Sequence, residues 1–251
     1  MHKSLKTLLL FFTVLTISLA VSGLRRQAPG TPSNGEQGEV DESQFPIAEE
    51  TAPEPATPAE RTKRNNKEKK YKKYKDYIGH GVTVASAHYH WPPGFPTLPV
   101  AQSDAVVVGD VSDARAYLTV DKDTVYSEFT VRIGEVLKGD NQSSLSQGGS
   151  IITERPGGRV RYSSGHIGRF SLTGWGMPQV GRQYVLFLTR NDQEADYRIV
   201  TGYELRGGRV FPLDATTSSE TDFDAYINMD KASFLNRLHT AIANSSPARP
   251  Q

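Results

Sequence analysis

The chain contains no cysteine among its 251 residues. That absence removes a disulfide framework, a thiol nucleophile, a thiolate-ligated zinc or iron–sulfur site and a lipid-modified cysteine, and it leaves stability to apolar burial and hydrogen bonding. Catalytic motifs are missing as well. There is no Gly-x-Ser-x-Gly elbow, no His-Glu-x-x-His, no phosphate-cradling Gly-Lys-Ser/Thr loop and no dinucleotide fingerprint. Ser163, Ser164 and His166 share a glycine-rich loop, but no acid is placed to orient the histidine. Asp110, Asp113, Asp121 and Asp123 form no acid–base pair that the sequence can single out.

What is present is organised in blocks. His2, Lys3 and Lys6 precede the apolar run Leu8 to Ala20, and small residues follow it, which predicts a signal peptide over residues 1–23. The alternative is a single-pass anchor helix with the domain outside. Leu8 to Leu24 would give a helix of about 25 Å at the usual rise per residue, short of a hydrocarbon core of roughly 30 Å, so length favours cleavage. Arg25 and Arg26 follow the run, which is the wrong order for twin-arginine export. The expected location is periplasmic or extracellular.

The net charge of +1 conceals opposed segments. No Lys or Arg occurs from Gln27 to Glu60, where six prolines accompany eight acidic residues. Residues 24–60 are therefore expected to be a disordered acidic linker. Residues 61–78 invert the sign and interleave cations with tyrosines. Residues 79–103 have no periodicity and predict an irregular lead-in that packs on the domain.

From residue 104 the pattern is that of strands. Ala105 to Val111 is β-branched with an internal Gly109 that suggests a bulge. Phe129, Val131 and Ile133 alternate with Thr130 and Arg132. Ile151 to Glu154 and Arg159 to Tyr162 flank Pro156-Gly157-Gly158, a hairpin signal, and Tyr184 to Thr189 reads as a central strand. Tyr197 to Thr201 and Arg209 to Phe211 complete the set. Asp230 predicts the N-cap of a helix over 231–244, with Phe234, Leu235, Leu238, Ala241 and Ile242 on one stripe. The β-rich unit thus spans 104–244, with a disordered tail over 245–251. Five to seven strands and one closing helix predict a mainly β chain, folded as a small barrel or curved sandwich.

The succession SDAVVVGDV, YSEFTVRIGEVLKGD and GRQYVLFL resembles a pattern of exported bacterial proteins of unassigned function and, more distantly, the OB-fold netrin-like domains of metalloproteinase inhibitors. The resemblance covers roughly residues 103–212 and implies an OB-like barrel. Those inhibitors use an N-terminal cysteine to chelate the protease zinc, so their mechanism does not transfer to this chain.

Three groups of side chains are candidate sites. His80, His88 and His90 have spacing that suits zinc or copper, although no acid lies at ligand spacing and the expected cofactor is none. Lys69, Lys70, Tyr71, Lys72, Lys73, Tyr74 and Lys75 suit a polyanion, with a solvated charge run as the plainer reading. Arg155, Arg159, Arg161 and Arg169 could converge on a carboxylate or phosphate, or stand solvated on a sheet face. The leading expectation is a non-catalytic exported binding protein whose partner is a protein, an envelope polymer or a membrane surface, with no specific nucleic acid. The alternatives are a polyanion-contacting surface protein using the Lys/Tyr segment and a metal-dependent enzyme using the histidines.

Overall fold

The computed structural model describes residues 45–53, 55–72, 94–140, 144–172, 174–191, 195–214 and 222–245. Five strands close into a barrel: β2 (Ala105–Leu118), β3 (Val125–Lys138), β4 (Ser150–Pro156), β7 (Gln183–Asn191) and β8 (Asp196–Arg206). The order around the barrel is β2-β3-β4-β8-β7 and back to β2; all pairings are antiparallel except the parallel β4–β8 contact. This is the Greek-key arrangement of an OB-like barrel. β9 (Arg209–Pro212) and β10 (Met229–Asp230) extend the sheet beyond β8.

Alternation along the strands sorts the side chains. Val107, Val111, Phe129, Val131, Leu186, Leu188, Tyr197 and Ile199 fill the interior. Gly109 lies at a register shift between β2 and β3. A Cβ there would stand 2.4 Å from Val131 Cγ1 and 2.9 Å from the Arg132 carbonyl oxygen, so the bend depends on glycine.

Two helices cover the barrel by different means. α2 (Lys231–Ser245) is capped by Asp230, whose carboxylate accepts the Ser233 N–H at 2.9 Å. It buries Phe234 and Leu238 against Val106, Val108, Val185, Phe187 and Tyr203 on the barrel's outer side. Each of the two helix residues contributes about 1.5–3 kcal/mol on ordinary area arguments. Phe95, Leu98 and Val100 of the irregular lead-in pack into the same layer.

α1 (Pro58–Tyr71) begins with a capping box, in which the Glu60 N–H donates to Thr57 Oγ1 at 3.2 Å and the Thr57 N–H donates to the Glu60 carboxylate at 3.2 Å. No Leu, Ile, Val, Met or Phe occurs in it. Among the described residues, no helix is long and apolar enough to cross a membrane.

Two expectations are corrected. The composition predicts a disordered linker over residues 24–60, yet Phe45 is buried, β1 (Ile47–Glu49) pairs in parallel with β5 (Gly158–Arg161) and α1 begins at Pro58. A few apolar residues suffice because a neighbouring strand supplies the backbone partners. The segments around Pro156-Gly157-Gly158 are also not a hairpin. β4 stays in the barrel, while β5 joins a second, three-stranded sheet with β1 and β6 (Ile167–Phe170). Positive φ at Gly157 and Gly158 turns the chain from one sheet to the other.

Candidate functional site

The outer side of β3, β4 and β8 carries three carboxylates. Glu128 on β3 and Glu154 on β4 are register partners, and Asp196 opens β8, whose Arg198 is the parallel partner of Glu154. Glu154 and Asp196 are buried, because α1 lies over them. The ammonium of Lys67, itself fully buried, hydrogen-bonds Glu128 and Asp196 and stands 3.3 Å from Glu154. Lys70 pairs with Glu154, and Lys63 reaches Asp196 at 3.2 Å. Oxygens of the three acids lie within 4.8 Å of one another, close enough to share a cation, and that place is taken by Lys67.

An aromatic stack adjoins the charges. Tyr71 lies on Tyr126 with ring centroids 4.8 Å apart, and Tyr126 lies on Tyr117 at 5.3 Å. Arg64 ties the helix further, donating to the Leu118 carbonyl at 3.0 Å and pairing with Glu68. Between α1, the β1 segment and the outer face of β2 runs a groove of about 1050 Å³, bordered by Arg61, Arg115, Tyr117, Lys122 and Glu49. Glu50 braces its wall. Hydrogen bonds from Lys122 and Ser163 hold its carboxyl at about 2.

Desolvation acts most strongly on Lys67 and opposes its charge, but attraction to Glu128 and hydrogen bonds to Asp196 and Glu128 together outweigh it, and its pKa rises above 10.5. Burial, helped by Glu128, raises Tyr126. Burial also pushes Tyr184 up to about 12 and Tyr203 well above 10. All four groups hold their protons more tightly folded than unfolded. Their stabilisation is therefore complete below the unfolded values near 10.0 to 10.5 and is lost as pH rises through the folded ones. The urea midpoint is expected to fall steadily above about pH 10, with tyrosinate absorbance rising together with unfolding. Tyrosinate signals that titrate fully while the far-ultraviolet spectrum stays native would contradict these burials.

The structure separates Arg155 from the other three candidate arginines, of which Arg159 and Arg169 are cross-strand partners on β5 and β6. Arg155 points to the core side of β4 and pairs with buried Asp214 at 2.6 Å, so it offers nothing to an external anion. Arg159 Nε donates to the Phe45 carbonyl at 3.0 Å, Arg169 stacks over the Phe45 ring at 4.6 Å, and Arg161 pairs with Glu49 at 2.8 Å. Three of the four arginines thus clamp the β1 segment.

Of the Lys/Tyr segment, Lys70 and Tyr71 turn toward the barrel while Lys69 and Lys72 are exposed. Lys73, Tyr74 and Lys75 lie outside the described residues, as do His80, His88 and His90. Glu128, Glu154 and Asp196 carry no local sequence signal. Only the strand register joins them. No protein-family model matches this chain, and no curated protein matches it in sequence.

Proposed function

We propose that the chain is an exported, non-catalytic binding protein whose ligand lies in the groove between α1, the β1 segment and the outer face of β2. The observation that carries this reading is the groove itself, lined by Tyr117 at the end of a three-tyrosine stack and by Arg61 and Arg115. Its volume suits a small molecule or a short stretch of polymer. A ring face would stack on Tyr117, and acidic groups would meet the arginines. The netrin-like resemblance contributes the barrel shape to this reading and no inhibitory mechanism.

Glycan and peptide arrays probed with the secreted full-length product test the reading. Tyr117→Ala and Arg61→Glu should each weaken the bound class at least about tenfold, the scale expected for a central aromatic or charged anchor. Retention by both variants, or turnover of the bound ligand, would overturn it. Mass spectrometry of the mature N-terminus tests export, and an intact Met1 in the membrane fraction would favour an anchor.

A second reading, contact with anionic membranes or wall polymers, is supported by the outward stripe of α1. Arg61 and Lys69 are exposed on the helix, and Lys72, one residue past its end, is exposed with Asp121 at 3.4 Å. Reversing these three charges should abolish salt-dependent binding to anionic vesicles, and binding that survives the reversal would exclude this reading.

A further inference from the structure

The two helices on the barrel are held by opposite chemistries. α2 docks through Phe234 and Leu238 in an apolar layer. α1 docks through Lys63, Lys67 and Lys70 on Asp196, Glu128 and Glu154, with Tyr71 as its single buried aromatic. The lysines recur at i, i+4 and i+7, which places them on one stripe of the helix. A permanent cover would be served at least as well by apolar residues, because the desolvation of buried ions offsets most of their attraction. What such pairs do well is discriminate among partners: few sequences place ammonium groups where three carboxylates await them.

We propose that the outer face of β3, β4 and β8 is a docking surface for a lysine-bearing helix of a partner protein, and that α1 is its built-in occupant. Charge complementarity defines the partner. It presents lysines at helical spacing i, i+4 and i+7 with an aromatic residue one position beyond the last, which is the pattern of Lys63, Lys67, Lys70 and Tyr71. Such a helix displaces α1 by offering the carboxylates the same ammonium groups. Carboxylates left without one would remain buried and uncompensated, so the face selects its occupant and rejects neutral or acidic helices. Because α1 also supplies Arg61, Lys63 and Arg64 to the groove, its displacement would open that wall too. The inference holds whatever the groove accepts.

The probe is a fluorescent synthetic peptide of residues 57–72, added to the full-length protein. A Lys67→Gln/Lys70→Gln chain, whose own helix is weakened, should bind it. The wild-type chain should bind about tenfold more weakly or worse, the ratio reporting the fraction of chains in which α1 is undocked. Adding Glu154→Gln to the weakened chain, or replacing the three peptide lysines with glutamine, should remove binding.

Equal affinity for wild type and variant would overturn the proposal, as would no binding by a variant whose circular dichroism is native. Should the variant not fold, hydrogen exchange on the wild-type chain decides. The proposal expects the amides of α1 to exchange faster with saturating peptide, and unchanged exchange contradicts it. Acceleration by anionic vesicles but not by the peptide would assign α1 to a polyanion instead, and dimers formed by exchange of α1 would assign the face to a second copy. Either outcome overturns the proposal.

Discussion

Replacing Arg155 with alanine is expected to destabilise the protein by about 3–5 kcal/mol, because it leaves a buried charge without its partner. Arg155 and Asp214 are both within 1% of full burial and pair at 2.6 Å. The guanidinium also donates to the carbonyl oxygens of Gly176 and Val200 and stacks over Trp175 at 4.7 Å. Asp214 additionally accepts the Gly176 N–H at 3.1 Å. One side chain therefore joins β4, β8, the connection between β6 and β7 that carries Trp175 and Gly176, and Asp214 just after β9. Chemical denaturation of Arg155→Ala should show a large fall in midpoint, and Arg155→Met/Asp214→Leu should recover much of it by removing both charges. A loss below about 1 kcal/mol in the single variant, the range of exposed pairs, would mean that the pair is solvated.

Lys67→Met should act differently, although it too removes a buried cation. Glu154 and Asp196 lose their shared ammonium, but α1 can lift away and let water reach them. Besides Lys67, the helix buries only Tyr71. The stability cost is thus limited by the free energy of docking α1. The expected result is at least about tenfold faster hydrogen exchange in α1, the consequence of losing little more than 1.4 kcal/mol of local stability. Exchange in β7 and in α2 should change little. Adding Glu154→Gln and Asp196→Asn should restore part of the protection. Uniform acceleration across the chain would show instead that α1 belongs to the global folding unit.

Much of the barrel was legible because its signals are local. The alternation through Phe129, Val131 and Ile133, the bend at Gly109 and the Asp230 cap each reside in a few adjacent residues. β1 was hidden because three strand residues in acidic, proline-rich surroundings show no period, and their stability comes from β5 and from arginines far along the chain. α1 did announce its start: Thr57-Pro58-Ala59-Glu60 is a capping box with proline at the first position. Its body escaped because helix reading depends on an apolar stripe, and its stripe is made of lysines. The carboxylates were unreadable for a different reason. Glu128, Glu154 and Asp196 are ordinary surface residues until strand register brings them together beneath a helix. Arg155 illustrates the same limit, since its sequence neighbours do not reveal that it faces the core.

The contrast between a helix held by charge and one held by apolar packing is open to a single comparison. Hydrogen exchange measured at low and at high salt should show α1 opening several-fold more readily as salt rises, because ions stabilise the released lysines and carboxylates. The apolar docking of α2 should be unmoved or slightly strengthened. Parallel behaviour of the two helices, or an α1 indifferent to salt, would contradict the assignment of α1 as a charge-held occupant of the barrel face.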